Sequence, residues 1–308
     1  MSSTKTPGLR HTLRDGDPFA RESLAFMLQI PQADIAAAIY TWVNGRGVGG
    51  SSVVVFGPGI EGNIIVESVD SVEMSDDVDF GDWQVGALRV RVDNPMESAL
   101  VTFDGDRLGL TYRFVGTHPA YLYSGHRDGS PSFFADDRYE QSGRVTGELR
   151  IDGKVIALDT TAHRDHSWGT RDWEAVLHYK WLVCEAGPAS AAHFFDIQAL
   201  GRRFLRGYVY KDELMSEAVD VECSFDHDNR WCQQSLQATI TDALGRITLV
   251  TAKTFAAFAT GHGPLRAIET AMTVEIDGQP GIGHVEMAWP KSYLRHLVST
   301  NVNGPADD

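Results

Sequence analysis

One eleven-residue segment, from His163 to Trp173, concentrates the side chains most capable of acid–base chemistry. It holds two His, two Arg, two Asp, two Trp and one Gly. A carboxylic acid that is buried against a Trp ring has a raised pKa and can donate a proton near neutral pH. A histidine such as His166 could orient that acid or relay its proton. The segment therefore predicts an acid–base site with Asp165 as a candidate proton donor and Trp168 as an aromatic wall.

A purely structural interpretation of the same segment stays open. Two Trp are costly to expose and two Asp are costly to bury, so the Trp rings need a packing surface and the Asp carboxylates need charged partners. Arg164 or Arg171 would pair with Asp165 or Asp172, while the Trp rings close one end of a barrel. Glu140, upstream, is a further candidate partner for either arginine.

Aromatic residues near the segment predict the wall of an apolar pocket. The candidate substrate-binding residues are Trp173, Tyr179, Trp181, Phe194 and, from a loop that could form a rim, Tyr123. Side chains two residues apart on a strand share a face, so Phe194 and Asp196 point to one side. An acid beside an aromatic ring suits an inward-facing barrel wall. The alternative is that Asp196 pairs with an arginine of the next strand, namely Arg202, Arg203 or Arg206.

Other patterns that could carry chemistry are weaker. His163 and His166 lie three residues apart, but no second ligand pair at a zinc-site spacing accompanies them, so no metal site is expected. Residues 45–50 match G-x-G-x-x-G, yet a strand-like run follows, which favours a hairpin loop over a nucleotide site. On a late strand His284 and Glu286 share one face, and a surface-facing pair is the favoured interpretation.

The elements that must position these residues are β-strands. Apolar or small residues alternate with polar ones over Val145–Ile151, and Asp152-Gly153 then separates this run from the next. An Asp-Gly pair between two such runs is a strong hairpin signal. Comparable turns occur at Asp104-Gly105, Asp242–Gly245 and Asp277-Gly278.

Helical patterns are few. Gln32–Tyr40 is Ala-rich but short and could equally begin a strand, and Ser292–Val298 predicts a terminal helix. No helix of crossover length separates consecutive strands, which disfavours a parallel α/β sheet. The sequence therefore predicts an all-β fold of antiparallel hairpins, arranged as a sandwich or as barrels.

Length, charge and cysteine content narrow the class of protein further. The chain has 308 residues, which suggests two domains, and we place them at residues 1–160 and 161–308. A formal net charge of −15 argues against nucleic acid and anionic membranes as partners. The first nineteen residues lack the apolar core of a signal peptide, and no apolar run is long enough to span a membrane. Three cysteines without disulfide spacing favour a cytoplasmic protein.

The central motif resembles that of a known family. R-D-H-S-W-G-x-R-D-W, preceded by Tyr139-Glu140-Gln141-x-Gly143 and the Gly147–Gly153 hairpin, is similar to the hydroxyneurosporene synthase family. This family comprises carotenoid hydratases and related lipocalin-like proteins that share D-H-x-W-G; kievitone hydratases and several fungal pericyclases are more distant relatives. The resemblance implies two consecutive lipocalin-like antiparallel β-barrels with few short helices and an apolar cavity near their junction.

The resemblance also implies catalytic residues. By match they are His166 and Trp168 of the motif, with Asp196 as the acid on a following strand. The hydratases carry this acid in a Tyr-x-Asp strand, whereas this chain has Phe194-x-Asp196 and so lacks one polar partner.

Together these observations predict a cofactor-independent hydratase, dehydratase or isomerase acting on a hydrophobic terpenoid, steroid or isoprenoid-like substrate. Asp196 or Asp165 would donate the proton, His166 would orient the donor, and Trp168 would stabilise a carbocation. No metal, nucleic acid or membrane insertion is expected, and a homodimer is left open. The alternatives are a non-catalytic carrier of apolar ligands and a pericyclase.

Overall fold

The protein is described by a computed structural model that covers residues 8–14 and 16–300. Within these residues almost all regular structure is antiparallel β-sheet, which confirms the predicted fold class. The chain divides into two compact units. The first comprises the chain up to Ile30 with Ala36–Val55 and Glu61–Arg171, and the second comprises Pro31–Ile35, Phe56–Ile60 and the chain from Asp172 onward.

The division between the units falls later than the sequence suggested. We expected a boundary near residue 160, where the first series of hairpins ends. In the structure one strand runs without interruption from Lys154 to Thr170 and pairs with the first strand of the chain. The motif segment therefore belongs mainly to the first unit, and the boundary lies at Arg171.

The described part of the first unit contains one antiparallel sheet of eleven strands in the order β4-β3-β2-β1-β11-β10-β8-β7-β6-β5, with β9 paired to β10. The strands are β1 (Ala20–Ile30), β2 (Ile35–Asn44), β3 (Val48–Phe56), β4 (Ile64–Glu73), β5 (Trp83–Val85), β6 (Leu88–Asn94), β7 (Ser98–Asp104), β8 (Leu108–Gly116), β9 (Tyr121–Leu122), β10 (Asp137–Ile151) and β11 (Lys154–Thr170). Short 3-10 helices cover Pro31–Ala33, Phe80–Asp82 and Tyr123–Gly125.

The second unit contains a closed antiparallel barrel in which each strand pairs with the next and β19 returns to β12. Its strands are β12 (Val176–Ala186), β13 (Ser190–Ala199), β14 (Arg202–Lys211), β15 (Leu214–His227), β16 (Gln233–Asp242), β17 (Ile247–His262), β18 (Leu265–Ile276) and β19 (Gln279–Pro290). Closure removes unpaired strand edges from this sheet. One helix, α1 (Lys291–Thr300), follows the barrel.

The predicted turns are confirmed. Asp152-Gly153 connects β10 to β11. The turns at Asp104-Gly105, Asp242–Gly245 and Asp277-Gly278 connect β7 to β8, β16 to β17 and β18 to β19, respectively. The glycine-rich segment after β2 is a hairpin turn that leads into β3. The Ala-rich Gln32–Tyr40 is mostly strand rather than helix, and Ser292–Val298 lies in α1 as predicted. Among the described residues, the helices are too short or too polar to cross a membrane.

An apolar core lies inside the second barrel. Successive side chains of a strand point to opposite faces, so every second residue of each strand faces this interior. Its buried members include Leu182, Phe194, Val209, Ile240, Met272 and Val285. The intervening residues of β12 and β19 face outward, and many of those are buried as well.

Candidate functional site

Strand β11 divides the motif between the two faces of the first sheet. Consecutive strand residues alternate in direction, so His166 and Trp168 lie on one face and Asp165 on the other. The predicted orientation of Asp165 by His166 is therefore wrong. The cross-strand neighbours of His166 are Leu24 on β1 and Tyr139 on β10.

His166 is bound instead to a glutamate of β1. Its Nε2 lies 2.8 Å from Glu22 Oε1, and both side chains are fully buried. His11, from the segment before β1, places its Nδ1 2.8 Å from the same oxygen. The His11 backbone N–H donates to both carboxylate oxygens, at 3.1 and 2.9 Å. The His11 ring stacks on Trp168 with centroids 3.8 Å apart and planes 3° from parallel.

Burial and hydrogen bonding set the charges of this cluster. Burial opposes ionisation of Glu22, but hydrogen bonds from His11 and His166 outweigh it and lower its pKa. Burial lowers the pKa of His166 despite the favourable Glu22 carboxylate, so the ring is neutral at pH 7. A carboxylate only accepts, so Nε2 carries the His166 proton. His166 Nδ1 is then a buried lone pair without a hydrogen-bond partner among the described residues.

Asp165 lies in an ionic cluster on the opposite face. Its carboxylate is 2.9 Å from the guanidinium of Arg138, which also donates to Glu140 at 2.5 Å. Glu140 in turn lies 2.7 Å from His163 Nε2 and accepts a bond from the buried Tyr123 hydroxyl at 3.4 Å. The structural interpretation expected Arg164 or Arg171 in this role. The Asp165 carboxylate does interact electrostatically with Arg171 and raises the pKa of its guanidinium, although burial lowers that pKa more strongly. Arg164 binds the side-chain oxygen of Gln141 instead.

Asp196 faces the interior of the second barrel. It lies on the same face of β13 as Phe194, which is fully buried in the apolar core. Its carboxylate accepts a bond from Arg203 Nε at 2.9 Å, and Lys180 Nζ lies 3.6 Å away. The alternative interpretation, a pair with an arginine of the next strand, is therefore the one the geometry supports.

A second His–Glu cluster lies on the outward face of the second barrel. The Tyr179 hydroxyl donates a short hydrogen bond to Glu286, and His262 Nε2 lies 3.0 Å from Glu286 Oε1. Trp173 stacks on His262 with ring centroids 4.5 Å apart and lies 5.9 Å from the Tyr179 ring. Burial opposes ionisation of Glu286, but the bonds from His262 and Tyr179 lower its pKa, so this carboxylate is ionised at neutral pH.

Glu269 extends this cluster across the β18–β19 pair. Glu269 and Glu286 are direct cross-strand neighbours, and ligand-type atoms of Glu269, Glu286 and His262 lie within 4.8 Å of one another. His284 Nε2 lies 2.6 Å from Glu269, and burial lowers the pKa of His284 to about 4. His284 and Glu286 do share a face, as predicted. The expected exposure is wrong, because His284 is fully buried and packs edge-on against Trp181.

The five predicted substrate-binding residues do not form one wall. Trp173, Tyr179 and Trp181 lie in or beside the Glu286 cluster, whereas Phe194 belongs to the barrel core and Tyr123 is buried in the first unit. Sequence reasoning missed four residues of the two His–Glu clusters: His11, Glu22, His262 and Glu269. The one signal in the sequence was an acidic residue within a largely apolar strand: Glu22 in β1 and Glu269 in β18.

Two crystal structures share the fold. One is of an AttH candidate from Nitrosomonas europaea, with a TM-score of 0.65 and 14% identity over 90% of this chain and 97% of the other. The other is of CghA, with a TM-score of 0.63 and 13% identity over 89% of both chains. At these identities the likeness concerns the fold alone. No curated protein matches the sequence significantly.

The fold and these similarities define the class: an all-β protein of two lipocalin-like units. The motif resemblance implied a lipocalin-like fold, and that implication is thereby confirmed. Residues 6–291 match the family described as a domain of unknown function, DUF7064, and the chain belongs to this family.

Proposed function

We propose that the protein is a cofactor-independent hydratase, dehydratase or isomerase for a hydrophobic small molecule of the terpenoid, steroid or isoprenoid type. The observation that carries this proposal is the hydrogen-bonded chain Tyr179–Glu286–His262, which lies against the Trp173 ring. It combines an ionised carboxylate, a part-exposed histidine and aromatic faces. Acid–base elimination or addition of water needs these three components.

Each group has a distinct role in the dehydration direction. His262 gives a proton to the departing hydroxyl, the C–O bond breaks, and water leaves. The Trp173 face stabilises the positive carbon. The Glu286 carboxylate then takes the proton from the adjacent carbon, which forms the alkene. Glu286 then returns its proton to His262, whose Nε2 lies 3.0 Å away, and both groups are back in their starting states. Hydration is the reverse sequence.

Tyr179 is a positioning residue in this scheme. Its hydroxyl donates to Glu286 and holds the carboxylate beside His262. Asp196 and Asp165 fit the acid role less well, because Arg203 and Arg138 occupy their carboxylates. The family resemblance still assigns His166 and Trp168 to catalysis, and that assignment is part of the proposal.

The test is turnover of a panel of terpenols, steroid alcohols and other tertiary alcohols, without added metal or nicotinamide. We expect Glu286→Gln to lower kcat by about 100-fold or more, the usual size of a general-base contribution. Glu275→Gln, an exposed glutamate on β18, is the matched control and retains wild-type turnover. Conversion that survives Glu286→Gln unchanged would overturn the assignment, and a wild-type protein inert toward the whole panel would overturn the enzyme itself.

The rival functions predict different results. An apolar carrier would bind the panel without product, but the second barrel supports this less, because apolar side chains pack its interior. A pericyclase would show a flat pH profile, since cavity shape matters more there than a titrating base. Asp196→Asn and His166→Asn, measured beside Glu286→Gln, identify which acid–base group limits the rate.

A further inference from the structure

We propose that His11, Glu22 and His166 bind one divalent transition-metal ion, with Zn²⁺ as the expected metal. The three residues come from the segment before β1, from β1 and from β11. Their ligand-type atoms, two imidazole nitrogens and a carboxylate oxygen, all lie within 4.8 Å of one another. Two His and one Glu are a donor set that both zinc and non-haem iron accept. This site shares no residue with the Glu286 cluster, but it includes His166, and it gives that residue a metal-binding role in place of the catalytic role that the family resemblance implies.

The spacing of the donor atoms suits a single ion. Metal–ligand distances of about 2.0–2.2 Å place neighbouring ligands roughly 2.8–3.6 Å apart in octahedral or tetrahedral geometry. His11 Nδ1 and His166 Nε2 each lie 2.8 Å from Glu22 Oε1, at the lower end of this range. A metal would take the place of the two N–H···O hydrogen bonds, and each ring proton would move to the other nitrogen of its imidazole.

The surroundings hold the donors in place before any metal binds. Glu22 and His166 are fully buried, and the His11 backbone N–H fixes both Glu22 oxygens. The His11 ring is stacked on Trp168, and the His166 ring lies perpendicular to Phe80 at 5.1 Å. Packing and hydrogen bonds of this kind orient ligands and limit solvent access in metal sites.

His166 Nδ1 is consistent with this assignment. With Nε2 bound to a metal, the ring proton moves to Nδ1. The perpendicular aromatic rings of Phe80 and Tyr139, at 5.1 and 5.4 Å, are weak acceptors for a ring N–H. The nitrogen that has no hydrogen-bond partner among the described residues would then carry the ring proton.

A polar cleft gives a metal access to the site. It has a volume of about 530 Å³, and His11 is part of its lining. Asp76, Asp77 and Asp79 line the same cleft together with one cation, Arg10, so the wall has a net negative charge that favours cations. Three protein ligands leave positions for water or for a small ligand that enters through the cleft.

Metal binding by the full-length protein is the direct test. After EDTA treatment and its removal, we titrate ZnCl2 by calorimetry and record the d–d absorption of a Co²⁺ titration. We expect one equivalent of metal in the wild type and binding at least 10-fold weaker in His11→Ala, Glu22→Gln and His166→Asn. The intensity of the cobalt bands reports the coordination number independently of any activity.

Two controls keep the result specific. His296→Ala removes an exposed histidine of α1, and His262→Ala removes the histidine of the other His–Glu cluster. Both variants should still bind one equivalent of metal. His11→Ala decides the outcome if the buried variants fail to fold, because this side chain is 13% exposed and lies outside the sheet. The proposal is overturned if the wild type binds none of Zn²⁺, Co²⁺ and anaerobic Fe²⁺, or if His11→Ala binds metal like the wild type. Either result leaves the acid–base function of the Glu286 cluster untouched.

Discussion

Two buried histidines, His118 and His178, make the stability of the folded protein depend on pH. His118 and His178 are buried, and burial lowers the pKa of each to about 4. His178 donates from Nδ1 to the Ala288 carbonyl at 2.7 Å and stacks on Trp289, while Lys180 further disfavours its charged form. Both rings are therefore neutral in the folded protein at pH 7.

The folded-state pKa of His178 lies below its unfolded value of roughly 6.5, so the sign of the pH effect is defined. As the pH falls below about 6.5, the unfolded chain binds a proton that the folded protein does not bind until about pH 4. The contribution of His178 to the free energy of unfolding is therefore fully present above pH 6.5 and is lost as the pH falls from 6.5 to 4. From pH 7 to 5 this one group costs about 2 kcal/mol of unfolding free energy.

Urea denaturation of His178→Phe at pH 7 and pH 5 measures that contribution. The variant should lose about 2 kcal/mol less than wild type on acidification, because it has no such proton to bind. His296→Phe, a change to an exposed histidine on α1, should behave like wild type. An equal acid loss in all three proteins would contradict the neutral, buried state of His178.

At the scale of elements, the conformation of β11 explains why the D-H-S-W-G motif ends in a glycine. Gly169 has φ +108°, a conformation that residues with a Cβ rarely adopt. A Cβ at this position would lie 2.4 Å from the backbone nitrogen of Asp136. The end of β11 therefore passes too close to its neighbour for any other residue.

We expect Gly169→Ala to lower the free energy of unfolding by about 2 kcal/mol or more, since both conformational strain and a backbone clash oppose it. Gly153→Ala is the matched control. It also has a positive φ, of +81°, but lies in open space at the other end of the same strand. Its cost should be about 1 kcal/mol. Equal losses in thermal and urea denaturation would show that the close contact is unimportant.

Strand alternation also explains which parts of the site were predictable. The separation of Asp165 from His166 and the shared face of Phe194 and Asp196 follow from the two-residue period alone. The Asp152-Gly153 turn identifies β10 as one neighbour of β11, but the sequence does not reveal that β1 is the other. Glu22 is 144 residues from His166, and no local pattern connects them.

At the scale of the molecule, closure of the second barrel makes its interior a packed core. Strand β12 pairs with both β13 and β19, so strands surround the interior on every side, and a cluster of buried apolar side chains fills it. Phe194 is fully buried there among aliphatic side chains. A large side chain in such a place contributes through burial and packing rather than through contact with a ligand.

Phe194→Ala should therefore destabilise the protein by about 3–5 kcal/mol, the usual cost of such a cavity. Leu177→Ala, at a position 63% exposed on the neighbouring strand, should cost less than about 0.5 kcal/mol. Urea denaturation followed by far-UV circular dichroism measures both. A small loss for Phe194→Ala would mean that the interior is an open lumen, and the carrier function would then be favoured.

The sequence by itself determined the strands, their turns, the terminal helix and the direction of each side chain along a strand. These properties depend on residue period and on local turn chemistry, which neighbouring residues decide. Only the tertiary structure decided that Glu22 and His11 meet His166, and that Tyr179 meets Glu286 across 107 residues. Strand pairing and the burial of an outward face depend on the free energy of the whole fold, so the partners of the motif became visible only there.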